Sequence, residues 1–155
     1  MRRNKPFIDL FPVIFCAALL VCLVGFMPIL SVAGQNISAA PEFISAEQLK
    51  QKLASDQAIT VIDVRDTKTY INSPKIKGSI YFKLRRLPYR LTMPPLRDLP
   101  RDREVVTYCS CPHDEASINA AKIFLEAGFK HVRVLQGGWQ MWLKVEGPTE
   151  ARPRA

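Results

Sequence analysis

From residue 42 onward the chain alternates short apolar runs of strand length with stretches whose apolar positions recur at helical spacing. Ser45-Ala46-Glu47-Gln48 opens the first helical stretch, with Ser45 as N-cap and Gln48 three residues on completing a capping box, and the helix is expected to run to about Ser55. Ala58 to Val64 (AITVIDV) is a continuous, largely β-branched run, and runs without alternation belong to strands covered on both faces. That pattern predicts a central parallel strand. Gly78 to Phe82, Glu104 to Tyr108 and His131 to Leu135 predict three more strands, and a helical pattern from about Glu115 to Ala127, closed by Gly128 as C-cap, separates the last two. Strands alternating with helices imply an α/β layer fold around a parallel sheet, whose ligand site lies at the carboxyl ends of the strands.

The first 33 residues follow a different rule. Arg2, Arg3 and Lys5 precede an uncharged run from Phe11 to Leu30, which ends on Ser31-Val32-Ala33, small residues where a signal peptidase cuts. The run is about 20 residues long, enough for a membrane-crossing hydrophobic helix. Cut as a signal peptide or kept as a signal anchor, residues 1–33 leave their basic end in the cytoplasm, and membrane attachment in the second case runs through 11–33. Either way the following domain is expected to be exported, to the periplasm or to the outer face of the inner membrane in a bacterium. Residues 34–41 (GQNISAAP) read as a spacer, 42–148 as the folded domain and 149–155 as a polar tail.

Composition adds bounds rather than detail. In 155 residues, 48% are apolar and 23% charged, which excludes a disordered or collagen-like chain and leaves one ordinary core. The formal charge of +8 falls to +6 once the leader is set aside, and much of it lies in one segment. Lys83, Arg85, Arg86, Arg90, Arg97, Arg101 and Arg103 face only Asp98 and Asp102 there. The 83–103 segment is read as a solvated basic connection, able to attract an acidic partner, an anion or a membrane surface. Without interleaved aromatics it does not read as a nucleic-acid site.

One stretch carries chemistry. Val105-Val106-Thr107-Tyr108 runs into Cys109-Ser110-Cys111-Pro112-His113-Asp114-Glu115-Ala116-Ser117, a cysteine-bearing loop between a strand end and a helix start. Such a loop turns several backbone N–H groups toward one point and adds the helix dipole, which together favour an anion there. A thiolate or persulfide at that point is stabilised. The anion-binding loop is taken as Pro112 to Ser117, with Pro112 itself offering no donor.

Val61-Ile62-Asp63-Val64-Arg65, then Lys75-Ile76-Lys77-Gly78-Ser79-Ile80, then the Tyr-Cys loop, and finally Gly137-Gly138-Trp139 with Trp142 resemble the successive signatures of a rhodanese-like domain, from about Phe43 to Gly147. The resemblance implies a three-layer fold with about five parallel strands, and a single-domain sulfurtransferase. It implies a cysteine that takes sulfane sulfur from a small donor as a persulfide and hands it to a thiol or cyanide, with no cofactor. Counting from the strand, the pattern puts Cys109 at the nucleophile's position; counting back from Ser117 and Ala120-Ala121, it puts Cys111 there. Cys111 is preferred, because the anion-cradling geometry depends on the distance to the helix. Arg65 looks like the family's arginine after the second strand, in a supporting ion pair, with Asp63 a structural polar residue. Trp139 and Trp142 are read as core and pocket wall.

Two departures from the family pattern bear on the substrate. The loop lacks a middle glycine, and instead of basic residues that would recruit thiosulfate it carries Asp114 and Glu115, the first read as a helix N-cap. No arginine closes the loop, which argues against a phosphatase or arsenate reductase. Two rival readings stay open: a catalytically silent rhodanese-like binding module, and a metal site using Cys109, Cys111, His113 and Asp114 or Glu115. Residues two apart in an extended segment share a side, which puts the α-carbons of Cys109 and Cys111 near the upper edge of disulfide reach. Oxidation of that pair is expected either to switch the site off or to release a bound sulfur.

Overall fold

A computed structural model describes residues 40–152. The apolar amino-terminal segment and its expected cleavage or anchoring lie outside the described residues, and among those described no helix is long and apolar enough to cross a membrane.

Strand β1 (Glu42–Ile44) leads into α1 (Ala46–Ala54), which starts as the sequence predicts. The Ser45 hydroxyl accepts from the Gln48 N–H at 3.2 Å, and the Ser45 N–H donates to the Gln48 side chain at 3.0 Å. Then follow β2 (Ile59–Asp63), α2 (Thr67–Asn72), β3 (Lys75–Ile76), β4 (Ile80–Tyr81), a 3-10 turn (Leu84–Arg86), α3 (Leu87–Arg90), β5 (Glu104–Tyr108), α4 (Glu115–Glu126), β6 (His131–Leu135), α5 (Gly138–Lys144) and β7 (Thr149–Glu150). Gly128, at φ +88°, turns its N–H back to the Leu125 carbonyl and ends α4 in a conformation that glycine adopts without strain.

Five strands form one parallel sheet in the order β1-β6-β5-β2-β4. Alternate residues of β5 show why the sheet needs cover on both faces. Val105 joins a core with Leu87, Leu91, Leu96, Ala120 and Phe124, beneath α3 and α4. Val106 and Tyr108 join another with Leu49, Trp139 and Trp142, beneath α1 and α5. Each fully buried Leu or Phe contributes roughly 1.5–3 kcal/mol, so neither face is left to solvent.

Three expectations change. The edge strand β1 was not predicted, because three residues carry too little pattern, and only pairing with β6 defines it. The 83–103 segment is more than a solvated connection: Leu87, Leu91 and Leu96 seal one face of the sheet, while Arg90 and Arg101 lie over the Phe82 and Phe129 rings at 5.3 and 4.3 Å. Thr149 and Glu150, assigned to the polar tail, pair antiparallel with β3, and the Glu150 carboxylate meets Lys75.

Candidate active site

The carboxyl ends of β2, β4 and β5 converge where Cys109 leaves the sheet. Cys109 is fully buried and Cys111 partly exposed, and the two are joined by a disulfide across a Cα–Cα separation of 5.7 Å. That separation is at the usual value for a disulfide and not at its upper edge, because the chain has left the strand by Ser110 and is no longer fully extended.

Both ends of the loop are pinned to the start of α5 and the glycine before it. The Trp139 N–H donates to the Cys109 carbonyl at 2.8 Å, and the Gly137 N–H donates to Asp114 Oδ2 at 2.8 Å. Gly138 has φ +48°, and a Cβ there would collide with the Cys109 carbonyl. The Gly-Gly-Trp signature thus lets two backbones approach closely.

Asp114 departs from the expected N-cap. It occupies the N-cap position of α4, but with φ 55° its side chain turns away from the helix to reach Gly137, and Oδ1 is buried without a partner. The helix start is instead tied from within: the Ser117 hydroxyl donates to the Asp114 carbonyl at 2.8 Å, and the Thr107 hydroxyl donates to the Ser117 carbonyl at 2.8 Å. Burial first, then the neighbouring Glu115 charge, holds the Asp114 carboxyl above its ordinary value, against the opposing Gly137 hydrogen bond and His113. A raised folded-state pKa means that the stability this group contributes is complete below the unfolded value and is lost as pH rises through the folded one. Asp114→Asn is therefore expected to gain stability relative to the wild type between pH 4 and pH 7, as read by urea unfolding midpoints. A gap that stays constant over that range would contradict the assignment.

The N–H groups of the loop are not all available to an anion. That of Asp114 closes a turn on the Cys111 carbonyl at 3.3 Å, whereas that of Ala116, in the first turn of α4, points at Cys111 Sγ from 3.5 Å. The Cys111 N–H points at Cys109 Sγ from 3.4 Å, and Ser117 Oγ lies 3.6 Å from the same sulfur. Pro112 and His113 are exposed, and His113 Nδ1 stands 3.3 Å from Glu115. With the cysteine sulfurs bonded to each other and His113 turned outward, the mixed metal-ligand set considered from sequence is not assembled; among the described residues no three such side chains converge.

Behind the loop, Asp63 and Arg65 form a fully buried pair. Arg65 Nε donates to both carboxylate oxygens at 3.0 Å and Nη2 to Oδ2 at 2.7 Å. Its remaining donors reach Ser73 Oγ at 2.8 Å and the Pro74 carbonyl at 3.0 Å, and the guanidinium lies 4.4 Å from the Trp139 ring centre. The Tyr108 hydroxyl donates to Asp63 Oδ2 at 2.7 Å; burial first, and the Asp63 charge next, hold that phenol well above its ordinary value, so it stays a donor.

A groove opens beside the loop, with Ala116 on one wall and Val64, Thr67 and Tyr81 on the others. Lys83 and Arg85 line its rim. Sequence reading flagged both only as members of a basic run; it is the pairing of β4 with β2 that carries them to the site.

Residues 45–145 match the family model described as the rhodanese-like domain. A protein of Allochromatium vinosum named "Sulfurtransferase" is 28% identical over 101 residues, covering 65% of this chain and 87% of its own length. The crystal structure of the Alr3790 protein from Anabaena superposes with a TM-score of 0.60 at 33% identity, covering 70% of this chain and 82% of that one. A rhodanese-related protein from Thermoplasma volcanium gives 0.54 at 26% identity, over 72% of this chain and 99% of the other. The family-model match over residues 45–145, together with solved structures of the same fold, shows that this chain belongs to the rhodanese-like domain family.

Proposed function

We propose that the protein is a sulfurtransferase working through a persulfide on Cys111. The observation that carries this reading is the placement of Cys111: a partly exposed residue whose Sγ faces the Ala116 N–H in the first turn of a twelve-residue helix, with Ala116 itself lining a groove that also holds Lys83 and Arg85. The helix dipole and that N–H favour negative charge on the sulfur, both in the attacking thiolate and in the persulfide it becomes. Cys109 is fully buried, which denies it to an external donor. Relatives named as sulfurtransferase and as sulfur carrier support the same chemistry.

The steps balance. After reduction of the disulfide, the Cys111 thiolate attacks the outer sulfur of thiosulfate; the new S–S bond forms as the old one breaks, and sulfite leaves. A thiolate or cyanide then attacks the terminal sulfur of the persulfide, and Cys111 departs as thiolate. Asp63 and Arg65 support the loop from behind and do not touch the reacting atoms.

The direct test is the intact mass of the reduced Cys109→Ser chain before and after exposure to thiosulfate and to a persulfide donor, with peptide mapping. A gain of one sulfur on Cys111 is expected. No gain from either donor, in folded protein with a free thiol, would leave a silent binding module as the better description.

The groove also sets a preference for charge. Asp114 and Glu115, beside Ala116 in sequence, repel an anionic donor, and Lys83 and Arg85, which line the groove, offset them. Reversing both, Lys83→Glu with Arg85→Glu, is expected to raise KM for thiosulfate about tenfold at low salt, with the penalty shrinking as salt is added. A KM unchanged within twofold would remove these residues from the site.

A further inference from the structure

Cys109 has no part in the transfer just described, yet its sulfur is the one the structure bonds to Cys111. We infer that Cys109 is a resolving thiol, which displaces the sulfur held on Cys111 as hydrosulfide and makes the site a sulfane-sulfur reductase driven by a dithiol. The inference rests on the persulfide reading of Cys111.

A stabilising role does not account for this disulfide. Cross-links stabilise mainly by restricting the unfolded chain, an effect that grows with the length of the loop they close. This one joins residues two apart, within one loop, and ties no two elements together. Its burial pattern suits a redox cycle instead. Cys111 is partly exposed and Cys109 fully buried, so attack by a dithiol at Cys111, with Cys109 as the leaving thiolate, is the favoured direction.

The surroundings of Cys109 fit a group that waits. Ser117 Oγ lies 3.6 Å from Cys109 Sγ while its hydroxyl donates to the Asp114 carbonyl at 2.8 Å, so once the disulfide is reduced its lone pair is free to accept the Cys109 thiol proton. The Cys111 N–H, 3.4 Å from the same sulfur, meets the negative charge that appears when that proton leaves. Tethered at a Cα–Cα distance of 5.7 Å, Cys109 reaches the inner sulfur of a Cys111 persulfide as an intramolecular nucleophile, with the high effective concentration that implies.

In that step the Cys109 thiol attacks Cys111 Sγ, the Cys109–Cys111 disulfide forms, and the bond to the outer sulfur breaks. The two protons, one from the Cys109 thiol and one from the persulfide, leave with the outer sulfur as hydrogen sulfide. The outer sulfur is reduced to sulfide and the Cys109 sulfur is oxidised, while Cys111 Sγ exchanges one S–S bond for another. A dithiol then reduces the disulfide, becoming a disulfide itself, and returns both thiols.

The full reduced chain, freed of reductant and given one equivalent of a cysteine persulfide donor without further thiol, tests this. Wild type is expected to release about one sulfide per chain and to end as the disulfide, lighter by two hydrogens. Cys109→Ser is expected to hold the added sulfur on Cys111 and to release at least tenfold less sulfide until a dithiol is added. Cys109→Ala gives the same readout if the serine variant misfolds. Wild type that keeps its added sulfur, or a variant that releases sulfide as wild type does, would overturn the resolving role while leaving the persulfide reading intact. Failure of the wild type and both Cys109 variants, all folded, to take up or release sulfur would overturn both readings.

Discussion

Cys111→Ser is expected to abolish sulfur transfer, with the rate of thiocyanate formation from thiosulfate and cyanide falling by on the order of 10³-fold or more, as removal of a covalent nucleophile does elsewhere. The serine hydroxyl keeps the volume and the neighbouring Ala116 N–H, so the loop is expected to hold its shape. What is lost is an ionised, polarisable sulfur able to form an S–S bond. Cys109→Ser keeps at least part of the activity, because cyanide attacks the Cys111 persulfide directly and does not need the second thiol. The contrast sharpens when reductant is withheld. Wild type should slow as the Cys109–Cys111 disulfide accumulates, while Cys109→Ser, which cannot form it, continues. The reverse pattern, with Cys109→Ser inactive and Cys111→Ser active, would move the nucleophile into the buried position and require the loop to open for each donor.

How far this site was legible depended on whether its parts lie close in sequence. The strand-loop-helix around Cys109 and Cys111 could be read, because a β-branched run, a helical period and the punctuation of Pro112 are all local signals. Local capping was mixed. The box at Ser45 held because both partners sit within one turn, while Asp114 did not act as an N-cap, because a partner in the turn before α5 took its carboxylate. No local rule sees Gly137. The same holds for Lys83 and Arg85, which sequence reading placed in a solvated segment. They reach the groove rim through the β2–β4 pairing, a contact without a periodic signature in strands of two residues. The parallel sheet itself followed from the alternation of strands and helices, but its edge strand, three residues long, is defined only by its hydrogen bonds to β6.

Arg65→Met is expected to destabilise the fold by about 3–5 kcal/mol, the usual consequence of removing one partner from a buried ion pair. Asp63 is fully buried, and every guanidinium bond to its carboxylate disappears with Arg65, leaving the Tyr108 hydroxyl and the residue-65 N–H to solvate a full negative charge. The loss also reaches further than Asp63. Arg65 ties the end of β2 to Ser73 and the Pro74 carbonyl, and its guanidinium is a layer in the stack over Trp139 that supports the turn holding the cysteine loop. Methionine fills much of that volume but donates nothing. Because the cost comes chiefly from the stranded charge and not from missing attraction, the double change Asp63→Asn with Arg65→Met should recover part of the loss, on the order of 1–2 kcal/mol. Urea unfolding midpoints of the wild type, the single variant and the double variant separate the two contributions. A single variant within about 1 kcal/mol of wild type would mean that Asp63 finds water once the guanidinium is gone. A double variant no better than the single one would instead place the cost in the ties to Ser73, Pro74 and Trp139.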